Sequence, residues 1–170
     1  MRLAIVAAAI VFGVSACGST PDVARPLVSE IPAAVEALEA KLGSDLVYFE
    51  VSADLVGVSL ILAETAVESS GEIMGMFATT YRWEAGKLTT DDETLPAEGA
   101  TFRSSVIDLE PENLFGSIDA ELSTPVIVDV AIQGTGTGST VIDATVVNEK
   151  GGTLLVLLSG DGRILGVQAS

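Results

Sequence analysis

The hydrophobic positions follow two periods along this chain. Val35, Leu38 and Leu42 recur at i, i+3 and i+7, with Glu36, Glu39 and Lys41 elsewhere on the turn, which predicts a helix over residues 32–42. Pro32 suits its first turn and Gly43 its stop. After Gly43 the period falls to two. Val47, Phe49 and Val51 alternate against Leu46, Tyr48 and Glu50, predicting a strand over residues 46–51. Further strands are expected over 56–63, 73–83 and 87–90, with turns at Ala53-Asp54 and Glu84-Ala85-Gly86 and a polar loop over 64–72. Residues 89–101 read as a charged connector with Asp91, Asp92 and Glu93 at its tip, and 102–109 as extended chain. A second helix is expected over 111–122. Pro111 opens it, Leu109 and Leu114 have the spacing of a hydrophobic staple, and Leu114, Phe115, Ile118 and Leu122 form its apolar face. Four strands close the chain, over 126–133, 140–147, 153–159 and 163–168, and Gly151-Gly152 and Asp161-Gly162 lie between them as hairpin signals.

The first residues follow neither period. Met1-Arg2 is a minimal positive start, and residues 3–14 are an uncharged apolar run. Such a run is short of the roughly 20 residues a membrane-spanning helix needs, and with the small residues Ser15 and Ala16 behind it the pattern is that of a secretory signal peptide. Cys17 follows at once and is the only cysteine of the chain, so it has no disulfide partner within it. Val14-Ser15-Ala16-Cys17 resembles the bacterial lipobox. That resemblance implies cleavage between Ala16 and Cys17, a diacylglycerol on the Cys17 thiol and anchoring by two or three acyl chains, where one chain holds only marginally. Gly18, Ser19, Thr20, Pro21 and Pro26 then suggest a flexible tether through residue 30.

The element order is helix plus four strands, twice. Leu38 to Ser44 lies 80 positions before Ile118 to Thr124 in a similar pattern, Leu46-Val47 matches Val126-Ile127 at the same offset, and Gly86-Lys87-Leu88 is echoed by Gly162-Arg163-Ile164. The expected fold is therefore α+β, a tandem repeat of one helix plus a four-stranded antiparallel sheet. The two sheets form either two lobes or one continuous eight-stranded sheet with the helices on one face. The boundaries read as signal peptide 1–16, lipidated cysteine and tether 17–30, first repeat 31–90, connector 91–109 and second repeat 110–170. This order resembles the tandem modules of PepSY-like and β-lactamase-inhibitor-like proteins, with Gly160 to Ile164 similar to their last hairpin. As a whole the chain also looks like small uncharacterised lipoproteins of actinobacteria, which share the lipobox, the tether, the helix and the strand end Tyr81-Arg82-Trp83-Glu84-Ala85-Gly86. That likeness implies an anchored envelope protein and no particular activity.

Composition narrows the chemistry. Of 170 residues, 48% are hydrophobic, ample for a core, and the formal charge is −16. Loss of residues 1–16 removes Arg2 and takes the charge to −17. Such acidity opposes nucleic acid and anionic lipid surfaces and suits a solvated exported surface, cationic partners or divalent ions. The chain has no histidine, which removes the commonest general base and zinc ligand and excludes Ser-His-Asp and Cys-His catalysis.

Each remaining constellation has a plainer explanation. Gly134 to Ser139 lacks the Gly-Lys-Ser/Thr ending of a phosphate loop and sits between two strands. Asp91-Asp92-Glu93 lacks the spaced ligands of a calcium loop. Asp108, Glu110 and Glu112 flank a helix N-terminus, where negative charge is stabilised. Asp129 and Asp143 alternate away from Val128, Val130, Ile142 and Ala144, which places them outward and solvated, or on a binding face. Phe77, Tyr81 and Trp83 form an aromatic stripe that reads as core and, were its face open, as anchors for a partner, with Arg82 on the opposite face. No catalytic set, metal site or cofactor is expected. The expectation is a membrane-anchored, non-enzymatic envelope lipoprotein that binds another envelope protein through a sheet face or cleft. The alternative is a carrier of a lipid or other apolar ligand. Nucleic acid is not an expected partner.

Overall fold

The computed structural model describes residues 23–67, 71, 73–148 and 151–169. The signal peptide, Cys17 and the first part of the tether lie outside the described residues. The elements run α1 (Ile31–Leu42), β1 (Val47–Asp54), β2 (Val58–Val67), β3 (Ile73–Glu84), β4 (Lys87–Ala97), β5 (Phe102–Arg103), α2 (Pro111–Glu121), β6 (Val126–Gly134), β7 (Thr140–Val147), β8 (Thr153–Leu158) and β9 (Ile164–Ala169). The class is α+β. All strands belong to one antiparallel sheet ordered β4-β3-β2-β1-β6-β7-β8-β9, with the short β5 paired to the start of β1. No helix among the described residues is long and apolar enough to cross a membrane.

Strand alternation builds the core. Val51 and Ala53 of β1 face the same way as their cross-strand partners Leu60 and Val58 of β2 and Ile132 and Val130 of β6. Ile142 and Ala144 of β7 and Leu158 and Val156 of β8 continue that layer. Ile31, Ala34, Leu38, Leu114 and Ile118 press both helices into the same cluster, so the core is a single helix–sheet interface. Burying a Leu or Ile side chain there contributes roughly 1.5–3 kcal/mol.

Two bulges decide which side chains enter the core. One interrupts β1 between Tyr48 and Glu50, so Tyr48 and Val51 are both buried, and the alternation that set Tyr48 opposite Val51 does not hold. The other, between Ile127 and Asp129 of β6, lets Ile127 into the core while Asp129 keeps to the other face. Tyr48 is fully buried, and its hydroxyl has no hydrogen-bond partner among the described residues. Burial, and then the charge of Glu39, push that hydroxyl up to about 12. Tyr48→Phe is accordingly expected to leave the unfolding free energy unchanged or to raise it by about 1 kcal/mol, because an unsatisfied buried group is removed and the ring is kept. Urea denaturation of the two proteins checks this. A loss above about 1.5 kcal/mol would mean that the hydroxyl has a partner after all.

Four boundaries depart from expectation. β1 runs on through Ala53 and Asp54, where a turn was expected, because both pair with β6. β4 runs through Asp91 and on to Ala97, where a connector was expected. It is an edge strand with solvent on its outer side, so charge there does not oppose pairing. β2 likewise continues to Val67, into the expected polar loop. The segment read as tether is already docked by Arg25. The Leu27 amide donates to the Asp54 carbonyl at 2.9 Å, Val28 is buried, and Arg25 reaches Asp119 of α2 at 2.6 Å and stacks 4.8 Å from the Phe115 ring.

Candidate functional site

The sheet has two unlike faces. One carries both helices; among the described residues, no helix lies on the other. This second face is organised around Arg82 of β3. Its side chain points away from Tyr81 and Trp83, as alternation predicts, and crosses β2 to the end of β1. There Nη2 donates to both Asp54 carboxylate oxygens at 2.8 Å. Nη1 donates to Ser59 Oγ at 2.8 Å and Nε to Glu84 at 2.9 Å. Asp54 is held from its own side as well, accepting from the Val56 and Gly57 amides at 2.7 and 2.9 Å. Partial burial pushes the Asp54 carboxyl up, but the hydrogen bonds from Arg82, Val56 and Gly57 prevail and keep it below the usual carboxylate range.

The turn that aims Asp54 depends on Gly57. A Cβ at that position would lie 2.3 Å from the Trp83 carbonyl oxygen and 2.7 Å from Glu84 Cγ. The backbone of β3 therefore passes directly over this glycine, and the same passage brings Arg82 to Asp54.

More carboxylates gather on this face. Asp129 of β6 is the direct cross-strand partner of Asp54. Glu50 lies on the same face and accepts from Gln133 Nε2 at 3.0 Å. Asp143 of β7 is the cross-strand partner of Ala131. Neither Asp129 nor Asp143 is the freely solvated group that alternation alone suggests. Burial, with the charges of Glu50 and Asp54, pushes Asp129 up to about 6, against a smaller opposing pull from Arg82. Burial and Glu50 raise Asp143. Beyond Asp143 the face turns apolar, with Leu155 and Leu157 of β8 exposed at 38% and 36%. Among the described residues, the middle of the sheet thus offers one guanidinium bound to carboxylates, further carboxylates without a cation of their own, and a flanking leucine patch. Such a surface attracts ammonium and guanidinium groups. No group of three or more carboxylates placed to hold a metal ion is formed among the described residues.

The aromatic stripe takes the opposite face. Tyr81 is buried beneath α1, with Lys41 Nζ 5.5 Å from its ring. Trp83 packs against the core and donates from Nε1 to Glu30 at 3.2 Å. Phe77 lines a small depression at the far end of β3 with Met74 and Pro96. Tyr81 and Trp83 are thus committed to the helix layer and do not join Arg82. The sequence reading missed Asp54 as the partner of Arg82, and Glu50 altogether. The signal within reach was alternation, which puts Arg82 and Ser59 on one face.

Two surface grooves flank the helices. One, of about 520 Å³, follows α1 past Ile31, Val35, Ala40 and Ile107. The other, of about 960 Å³, lies between α2 and β9. Compared with protein-family models, with curated proteins and with solved structures, the chain matches none.

Proposed function

We propose that this protein is a membrane-anchored, non-enzymatic envelope lipoprotein that presents the open face of its sheet to another envelope protein. The anchor is read from Val14-Ser15-Ala16-Cys17, with Cys17 carrying the lipid on the extracytoplasmic side of the cell membrane. The observation that carries the binding role is the helix-free face, where Asp129 and Asp143 are partly buried and raised and, among the described residues, no cation sits on them as Arg82 sits on Asp54. A basic surface of the partner would supply the missing cations, and Leu155 and Leu157 would bury apolar area beside them. The strand order, with β1 and β6 side by side at the centre and the later strands of each half running outward, supports reading the chain as a tandem of two helix-plus-four-strand units. The groove along α1 favours a second reading, the carriage of a lipid or other apolar ligand.

The test is mass spectrometry of protein extracted from native membranes. A diacylated Cys17 peptide and a stoichiometric protein partner are expected, and the partner should be lost from the Asp143→Lys variant while the anchor stays. A lipid held beyond the covalent chains, with no protein partner, favours the carrier. An unmodified Cys17 removes the anchor and with it the proposal.

A further inference from the structure

The two edges of the sheet are unlike. β4 is guarded in the manner of natural edge strands, with Asp91 and Glu93 exposed and Pro96 unable to donate to a neighbour. β9, at the other edge, has among the described residues β8 on one side only. Ile164–Ala169 holds no charged residue and no proline, and Leu165 and Val167 are 50% and 49% exposed. The backbone groups on its outer side are a template for another strand.

That bare edge borders the groove of about 960 Å³ between α2 and β9. Its floor is Leu122, Ile164 and Val167, and its far wall is the α2 surface at Gly116, Ser117 and Ala120. The hairpin holds β9 close against the helix, since a Cβ on Gly162 would come 3.1 Å from the backbone of Asn113 and Leu114. Gly116 lies in the middle of α2, where glycine costs roughly 1 kcal/mol relative to alanine, and a Cβ there would meet nothing within 4 Å. The rim carries Glu112, Glu121 and Asp161 against a single Arg163. Asp161 is fixed in its ionised form by the Ser159 hydroxyl, which holds its carboxyl below the usual range.

We propose that the groove between α2 and β9 takes an extended, basic segment of another protein, which adds to β9 as a further antiparallel strand. Its alternate side chains would enter the groove over Ile164 and Val167, and its lysines or arginines would meet the acidic rim. Main-chain hydrogen bonds would supply affinity and the groove specificity, the division of labour seen wherever a peptide adds between an edge strand and a helix. A second copy is disfavoured because it would bring an equally acidic rim and another 16 net negative charges. This inference uses neither the lipid anchor nor the helix-free face, and stands or falls apart from both.

The test uses full-length protein in detergent and a fluorescein-labelled, acetylated octapeptide of alternating Lys and Val. Two controls are the same peptide N-methylated at alternate residues, and a Glu–Val octapeptide. The Lys–Val peptide is expected to bind with amide exchange slowed over residues 164–169, and each control to bind at least tenfold more weakly. G116L, whose side chain would project into the groove, is expected to weaken binding at least tenfold without lowering the unfolding midpoint. A120L on the same wall is an independent block. The proposal is overturned if the Lys–Val peptide fails to bind, or if binding ignores both N-methylation and the two blocks. Protection over β6 in place of β9 would also overturn it, as would concentration-dependent protection of β9 without peptide, which assigns the edge to a second copy.

Discussion

Replacing Gly57 by alanine is expected to lower the unfolding free energy by roughly 3 kcal/mol, the upper range for forcing atoms into filled space. The backbone dihedrals of Gly57 are not the reason, since its φ is not in the left-handed region. The reason is space, because the new methyl would sit 2.3 Å from the Trp83 carbonyl, an atom fixed in the ladder between β2 and β3. β3 must move away or the turn must open. Either change draws Arg82 off Asp54, so the variant should also lose part of the charge arrangement on the open face. Urea denaturation measures the first effect. Gly166→Ala is the control, because a Cβ there meets nothing within 4 Å, and it should change stability by no more than about 0.5 kcal/mol. Equal losses in the two variants would show that the close approach of β3 is not what position 57 requires.

Asp129→Asn should stabilise the protein at pH 7.5 by roughly 1–2 kcal/mol. The carboxyl rises on folding from 3.8 to about 6. Each unit is about 1.4 kcal/mol, and partial solvation of the site reduces the total. Folding raises this pKa, so the folded protein holds the proton more tightly than the unfolded chain does. Ionised Asp129 therefore opposes folding above about pH 6, and stability is regained as the pH falls from there toward 3.8. Asp54 works the other way. Its folded pKa is depressed, so the stability it contributes is present above the ordinary carboxylate range and is lost as the pH falls below it. Wild-type stability should rise on acidification from pH 7.5 to about 5 and decline at lower pH. The Asn variant should lose most of the rise, keeping only what the raised Asp143 contributes, and should keep the decline. Denaturant midpoints across this range decide the matter, and a flat wild-type profile between pH 7.5 and 5 would remove Asp129 from the account.

Much of the scaffold is legible in the sequence because local physics sets it. Helical spacing and a proline at the first turn place α1 and α2 to within a residue, and the last hairpins follow from Gly-Gly and Asp-Gly turns. The continuous sheet with helices on one face was one of two arrangements the pattern allowed. The departures share a cause. At the edge strand β4, at the end of β2 and in the docked segment from Arg25, long-range pairing overrides a locally polar sequence. The bulges at Tyr48 and Ile127 are likewise set by neighbouring strands. The candidate site is harder to read for the same reason. Alternation puts Arg82, Asp129 and Asp143 on their faces one at a time. That Asp54 is the partner of Arg82, 28 residues away, depends on β2 lying between them and on the crossing over Gly57. Partial burial of Asp129 on a face without helices has no local signature either.

The pairing of β1 with β6 also sets an order of events during synthesis. β2, β3 and β4 follow β1 closely and can meander beside it as they emerge. β6 begins at Val126, long after β1 ends at Asp54. At 5–20 residues per second, that interval of roughly 70 residues lasts about 4–14 s. Throughout it, the edge of β1 that will become the middle of the sheet is bare, and β5 later shields only Val47 and Tyr48. Nascent chains would therefore be most open to mispairing along Glu50 to Asp54, where two carboxylates, Glu50 and Asp54, repel a second nascent copy. The same charges that press on Asp129 in the finished sheet would then guard its unfinished seam.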